Sequence, residues 1–193
     1  MSAHGYSLLE TVFVVSLAAT TTAAAVPQVL TGVDEYRAAG AARYLAGRMQ
    51  RTRMEAIVRS TEVAMQFSLA TNSYSYAVYV DGNGNGVLTR DIQRGIDRML
   101  GAAEQLTDNF RGVDFGAIPG LPPVDSGGTP PGTDPIRLGS GSFASFSANG
   151  TSSSGSLYIR GARNIQYVIR IFGETGRVRV LKFDSRTQKW RPL

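Results

Sequence analysis

The sequence predicts an α+β fold in which one long N-terminal helix packs on a small antiparallel β-sheet domain. Two observations lead to this class. An uncharged apolar run is followed, up to about Ser60, by a stretch with helical spacing, and after Thr61 apolar residues alternate with polar ones. A helix followed by many short strands is typical of α+β proteins with antiparallel sheets. The 193 residues have room for one such core.

The predicted helix opens with a run, residues 12–33, that contains no charged side chain. As a helix this run would be about 33 Å long, close to the thickness of the hydrocarbon core of a bilayer. We therefore predict that residues 6–33 form a transmembrane or filament-core helix. A cleaved secretory signal peptide is the alternative, but residues 1–5 hold no Lys or Arg, whereas such peptides begin with a basic region.

Glu10 stands at the start of this apolar run. A carboxylate beside hydrocarbon costs several kcal/mol unless it is paired, so such a residue usually has a partner and a role. From residue 4 to residue 10 the chain reads HGYSLLE. This segment resembles the class III signal of type IV pilins and pseudopilins. An ordinary membrane anchor, with Glu10 at the interface, is the alternative.

The resemblance implies specific roles for four residues. Prepilin peptidase would cut after Gly5, in a leader formed by residues 1–5, and the new N-terminal Tyr6 would be N-methylated. Glu10 would pair with the Tyr6 amine of a neighbouring subunit in a filament. Pro27 falls where pilins carry a helix-perturbing proline, which removes one helical hydrogen bond. This leader lacks the usual basic residue, and Tyr6 stands in place of the usual Phe.

Residues 34–60 are predicted to form an amphipathic stalk that continues the helix. Its large apolar residues recur at spacings near 3, 4 and 7 and are expected to form the packing stripe: Tyr44, Leu45, Met49, Ile57 and Val58. Alanines between them would allow a sheet to approach closely.

Residues 61–193 are predicted to form the antiparallel β domain. Alternating patterns indicate strands from Val63 to Phe67 and from Tyr74 to Val80, and further short strands at residues 97–100, 113–115, 156–160, 165–172 and 177–184. Residues 118–155 are rich in Pro, Gly and Ser and are expected to form long, partly mobile loops.

Three stretches narrow the resemblance to the minor pseudopilins of the GspH/FimT family. They are RTRMEAIVRSTEVAMQF at residues 51–67, the pattern of Phe146, Gly150, Gly155 and Leu157, and TGRVRV at residues 175–180. The resemblance implies a minor subunit near the tip of a type II secretion pseudopilus or a type IV pilus.

The segment DGNGNGVLTRD, residues 81–91, is similar to the first half of a calcium-binding loop. Asp81, Asn83 and Asn85 occupy ligand positions one, three and five. The twelfth position, which should be a bidentate acid, is Ile92, and Asp91 comes one residue early. A turn rich in Gly and Asn is the favoured interpretation, with calcium as the alternative and no other cofactor expected.

No catalytic motif is present, and the sequence predicts that the protein is not an enzyme. The chain has no cysteine, and its one histidine, His4, lies in the predicted leader. Acid/base chemistry could in principle use Asp91 with Asp97 or Asp108 with Asp114. We expect these four to be solvated surface acids instead.

Positive charge is concentrated at the C-terminal end, where residues 160–193 hold nine basic and two acidic side chains. Such a region can attract polyanions or anionic lipid, or can simply be solvated. If Phe172 pairs with Arg177 in a hairpin, Arg170 faces Arg179 on the same side of the sheet as Arg177. These three arginines, together with Lys182, are candidates for phosphate contacts with DNA. An edge hairpin kept soluble by its arginines is the alternative.

Three functions remain open on the sequence alone. The first is a minor pilin or pseudopilin, anchored once in the inner membrane with a periplasmic domain and later part of a filament. Its partners would be prepilin peptidase and other pilins. The second is a pilus-borne DNA receptor for natural transformation, and the third is a membrane-anchored β domain that does not assemble.

Overall fold

The computed structural model describes residues 7–71, 73–139 and 141–193. Its first element is one helix, α1 (Leu8–Arg59), which confirms the prediction of a single long N-terminal helix. The Ser7 side chain caps the start of α1 by accepting a hydrogen bond from the Glu10 backbone N–H. The chain leaves the helix at Ser60, which has the left-handed conformation common at helix C-termini.

The β domain follows directly. Its strands are β1 (Val63–Leu69), β2 (Tyr74–Val80), β3 (Arg98–Met99), β4 (Glu104–Gln105), β5 (Asp114–Phe115), β6 (Ile136–Leu138), β7 (Phe143–Phe146), β8 (Gly155–Arg160), β9 (Gln166–Phe172), β10 (Arg177–Asp184) and β11 (Lys189–Pro192). Two short helices, α2 (Thr89–Gln93) and α3 (Leu106–Asn109), and a 3-10 turn (Ala162–Asn164) lie between strands.

Among the described residues, these strands form two antiparallel sheets. The first has the order β3-β2-β1-β7, with β4 also paired to β2. The second has the order β11-β10-β9-β8-β5, with β6 also paired to β8. The coarse prediction of an α+β fold with antiparallel sheets is therefore confirmed. The sequence missed β4, which is too short to show a period, and β11, which is rich in charge and contains proline.

The prediction that residues 118–155 form long, partly mobile loops needs correction. Strands β6 and β7 lie inside this segment and pair with β8 and β1. Its first part covers the outer face of the second sheet, where Leu121 packs with Tyr158, Val168 and Phe183. The Trp190 indole N–H anchors this cover by donating to the Pro122 carbonyl at 3.1 Å. Proline and glycine content here marks tight turns that are held by tertiary contacts.

The C-terminal half of α1 packs on both sheets through a face made mainly of small residues. Its fully buried positions follow the helical period: Ala38, Ala41, Ala42, Leu45, Met49 and Ala56. The predicted stripe was right for Leu45 and Met49 but wrong for Tyr44, Ile57 and Val58, which are exposed, Val58 to 76%. Alanines occupy most of the buried face, because they let the helix backbone approach the sheets more closely than bulky residues would.

The N-terminal half of α1 projects from the domain. Every described side chain in residues 7–31 is exposed, including Leu8 at 83% and Phe13 at 66%. Burial against the domain begins at Ala38 and then recurs along one face of the helix. This part of α1 is long and apolar enough to cross a membrane.

Candidate functional site

The first candidate site is the exposed apolar half of α1. Glu10 lies in its first turn and Pro27 lies within the helix, while Gly5 and Tyr6, the predicted cleavage residues, fall outside the described residues. From Glu10 the sequence has no further charged residue until Asp34. Of the predicted processing and assembly residues that the structure describes, Glu10 lies at the start of this apolar stretch and Pro27 lies within it.

Hydroxyl side chains within this surface are satisfied by the helix itself. Four of them donate a hydrogen bond to a backbone carbonyl three or four residues earlier, at 2.8 Å for Ser16, 2.9 Å for Thr20, 3.0 Å for Thr21 and 2.7 Å for Thr22. In hydrocarbon an unpaired donor would cost several kcal/mol. The run of threonines is thus compatible with an apolar environment.

The three stretches that resemble the GspH/FimT family meet in space around Arg53. Arg53 belongs to the first stretch, and its Nε–H donates to the Gly150 carbonyl of the second stretch at 2.9 Å. Gly176 of the third stretch lies against both, since a Cβ on it would be 2.3 Å from the Gly150 oxygen. Both glycines also have positive φ, +84° and +60°. The spacing of these motifs therefore reflects one contact that joins α1 to two turns.

The glycine- and asparagine-rich segment after β2 forms a tight turn organised by carboxylates. Both oxygens of Asp81 accept backbone N–H bonds, from Asn83 and Gly84 on one side and from Gly86 on the other, at 2.8 to 3.0 Å. Burial alone would raise the pKa of Asp81, but these backbone donors outweigh burial and lower the pKa below the ordinary aspartate value. The charged carboxylate stabilises the turn.

Asp91 and Asp97 are not the solvated surface acids that the sequence suggested, because each is only 2% exposed. Asp97 accepts backbone N–H bonds from Gly82 and Leu88, and Asp91 accepts one from the Asn85 side-chain amide at 3.0 Å. Both carboxylates therefore shape the turn, which supports the turn interpretation of this segment.

The calcium alternative places ligands on Asp81, Asn83, Asn85 and Asp91. The Asn83 side-chain oxygen accepts a hydrogen bond from the Asn85 backbone N–H, and the Asn85 side-chain amide donates to Asp91. Ile92, at the twelfth position, has no side-chain oxygen to offer a cation. Among the described residues, no group of three or more His, Asp or Glu side chains is arranged to hold a metal ion.

The second candidate site is the hairpin of β9 and β10, whose register agrees with the sequence prediction. Phe172 pairs with Arg177, and Arg170 pairs with Arg179. The Arg177 and Arg179 side chains are exposed, and the Arg179 guanidinium lies 5.8 Å from the centre of the Phe172 ring. A groove of about 500 Å³ opens beside them, lined also by Ser154, Glu174 and Thr175.

Arg170 and Lys182 are held by carboxylates. Arg170 forms an ion pair with Asp125 at 2.6 Å and donates to the Gly155 carbonyl at 2.9 Å. Lys182 pairs with Glu35 of α1. It lies on the face of β10 opposite to Arg177 and Arg179, because side chains alternate along a strand and Lys182 is an odd number of residues from both arginines. Of the four predicted basic residues, the structure brings only Arg177 and Arg179 together as exposed neighbours.

Sequence reasoning missed Glu104, which fastens the first sheet to α1. Its carboxylate accepts hydrogen bonds from the hydroxyls of Tyr44, at 2.6 Å, and Tyr76, at 3.1 Å, and pairs with Arg48 at 2.6 Å. The bond to Glu104 raises the pKa of Tyr44 above its ordinary value. No local pattern could have revealed these contacts, because they join residues far apart in the chain.

Comparison with known proteins adds no relative. No family profile, no curated protein and no solved structure matches this chain. The candidate sites above therefore rest on the residues of this chain and on their geometry.

Replacing Asp81 should weaken the fold in a pH-dependent way. At neutral pH, Asp81→Asn should lower the free energy of unfolding by about 1–3 kcal/mol, since charge-assisted hydrogen bonds are lost. The pKa of Asp81 is lower in the folded state than the unfolded value of about 3.9. The extra stability of the wild-type protein is therefore complete above about pH 3.9 and is lost as the pH falls through the folded-state pKa.

Urea denaturation of the full chain in detergent, in a series from pH 7 to pH 3, measures this difference. Asp108→Asn, on an exposed side chain, is the matched control and should change stability little at any pH. An advantage of Asp81 that stays constant down to pH 3 would contradict the stabilising role of its charge.

Proposed function

We propose that this chain is a minor pilin or pseudopilin, cut by prepilin peptidase after Gly5 and assembled through α1 into a type II secretion pseudopilus or a type IV pilus. Before assembly, α1 crosses the inner membrane once and the β domain lies in the periplasm. The observation that carries the proposal is the division of α1 into two halves. One half is buried on the β domain, and the other is an apolar surface that no described part of the chain covers.

The apolar surface of the N-terminal half of α1 is large, and its exposure to water is unfavourable. Its big side chains are Leu8, Leu9, Val12, Phe13, Val14, Val15, Leu17, Val26, Val29 and Leu30. Burying one such side chain is worth about 1.5–3 kcal/mol, so together they supply more than about 10 kcal/mol. In this proposal, lipid covers the surface first and the helices of other subunits cover it after assembly.

Glu10 needs a positive partner in either apolar environment. The first basic residue of α1 is Arg37, about 40 Å away along the helix axis, so α1 itself cannot supply that partner. Cleavage after Gly5 would create a positive amine at Tyr6, and the amine of a neighbouring subunit fits this need. The carboxylate thus links processing to assembly.

The proposal also draws on the three stretches that carry the family resemblance, which lie together around Arg53. The Arg53 side chain donates a hydrogen bond to the Gly150 carbonyl, and Gly176 lies close to both residues.

Co-expression with prepilin peptidase should shorten the chain by its first five residues and add a methyl group to Tyr6. Intact-mass spectrometry of the purified membrane protein measures both changes. Gly5→Val is the matched control and should remain uncut, since the peptidase requires glycine at this position. A wild-type chain that remains uncut, or one cut beyond Ala25, would refute the proposed processing.

Glu10→Leu should separate membrane insertion from assembly. The variant should still be inserted and folded, yet it should be absent from filaments, because removing one member of a buried pair costs about 3–5 kcal/mol. Immunoblots of membranes and of sheared filaments measure the two pools. The neighbouring Thr11→Leu, which keeps the carboxylate, should assemble normally. Equal incorporation of both variants would remove the role given to Glu10.

A second candidate function is DNA binding at the filament surface for natural transformation. The observation that favours it is the pair of exposed guanidiniums, Arg177 and Arg179, beside the Phe172 ring and on one face of β10. Guanidiniums contact phosphate oxygens through paired hydrogen bonds and bind DNA without reading its sequence.

DNA binding can be measured with the full chain in discs of neutral lipid. Affinity for duplex DNA should fall steeply between low and physiological salt, and Arg177→Gln with Arg179→Gln should make the logarithmic salt slope shallower by about 2. Arg186→Gln with Lys189→Gln removes equal charge from the other end of β10 and should leave the slope closer to wild type. No binding at low salt, or equal slopes for both double variants, would exclude this function.

A further inference from the structure

The end of the β domain nearest the apolar half of α1 carries a concentration of positive charge. We name this the basal surface and define it by the side chains of the β8–β9 turn and the β10–β11 hairpin that lie there: Arg163, Lys182, Arg186, Lys189 and Arg191. Apart from Lys182, which is partly buried, all of them are exposed.

Contacts with α1 fix the position of the basal surface. Gly176, just before β10, lies against the Arg53 side chain, whereas Lys182, near the end of β10, pairs with Glu35. Strand β10 therefore runs back along α1 towards the apolar half. The turn after Asp184 begins about 7 Å beyond Lys182 in that direction, since a strand rises about 3.3 Å per residue. Arg163 reaches the same level, since it contacts Thr31 and pairs with Asp34.

Positive charge exceeds negative charge on this surface. The five basic side chains meet three carboxylates, in the pairs Arg163–Asp34, Lys182–Glu35 and Arg191–Asp184. No carboxylate of the described residues lies within ion-pair distance of Arg186 or Lys189. A groove of about 380 Å³, enough room for a phosphate group, is lined by Lys182, Arg186 and Arg191 and by the Asp184 carboxylate that pairs with Arg191.

We propose that the basal surface binds the headgroups of anionic phospholipids in the bilayer that α1 enters. This inference rests on the membrane placement in the proposed function. When the apolar half of α1 fills the hydrocarbon core, the hairpin turn that extends beyond Glu35 comes level with the headgroups. Arginine and lysine side chains are attracted there by anionic lipid and bind phosphate oxygens. The contact holds the β domain against the membrane until the subunit leaves for the filament.

A fluorophore at the tip of the hairpin tests this contact. The chain contains no cysteine, so Ser185→Cys in the exposed turn gives a single labelling site on the full chain. The labelled protein is reconstituted into vesicles of phosphatidylcholine, with or without phosphatidylglycerol, that carry a headgroup quencher. We expect stronger quenching in the anionic vesicles, and we expect high salt to reduce it to the level of the neutral vesicles.

Two double variants assign the effect to particular residues. Arg186→Gln with Lys189→Gln should lose the extra quenching, whereas Arg177→Gln with Arg179→Gln, at the far end of β10, should keep it. Equal quenching in neutral and anionic vesicles, or an unchanged signal in the Arg186 and Lys189 variant, overturns the headgroup contact alone. Flotation of the same samples reports insertion separately. A chain that fails to float with any vesicles overturns the membrane placement and, with it, this contact.

Discussion

The close packing of α1 on the two sheets is the interaction on which the rest of the structure depends. Alanines at positions 38, 41 and 42 keep the buried face of the helix thin, so that the sheets approach its backbone. A Cβ on Gly161 would be only 2.8 Å from the Ala38 side chain, which shows how little space remains. This contact covers only the C-terminal half of α1, and the N-terminal half projects from the domain with every described side chain of residues 7–31 exposed.

The ion pairs and hydrogen bonds around α1 divide into an upper and a lower group. Near the C-terminal end of the helix, Arg53 contacts two turns of the β domain. Where the helix begins to project from the domain, Asp34 pairs with Arg163 and Glu35 pairs with Lys182. Partly exposed pairs of this kind contribute little stability each, about 0–1 kcal/mol. They join the β domain to α1 at both ends of the packed segment.

Strand β10 divides the basic C-terminal region between its two ends. Arg177 and Arg179 lie at the end far from the apolar half of α1, and Arg186 and Lys189 lie at the near end, in the β10–β11 hairpin. Alternation along β10 also sends Lys182 to the face of α1 and Arg179 to the opposite face. A charge surplus that looks uniform in the sequence therefore becomes two separate surfaces at opposite ends of β10.

The sequence by itself determined the long helix, the β1–β2 and β9–β10 hairpins and their alternating faces, because periodicity and turn residues act over a few neighbouring positions. The resemblance of residues 4–10 to a processing signal is also a prediction from sequence alone, and it remains a prediction. Tertiary structure alone decided that Asp91 and Asp97 are buried within a turn, that Glu104 joins α1 to β2, and that residues 116–125 cover the second sheet. It also decided which arginines remain exposed. These features depend on contacts between residues far apart in the chain, where a carboxylate, a tyrosine hydroxyl or a backbone N–H finds its partner only after the sheets have packed on α1.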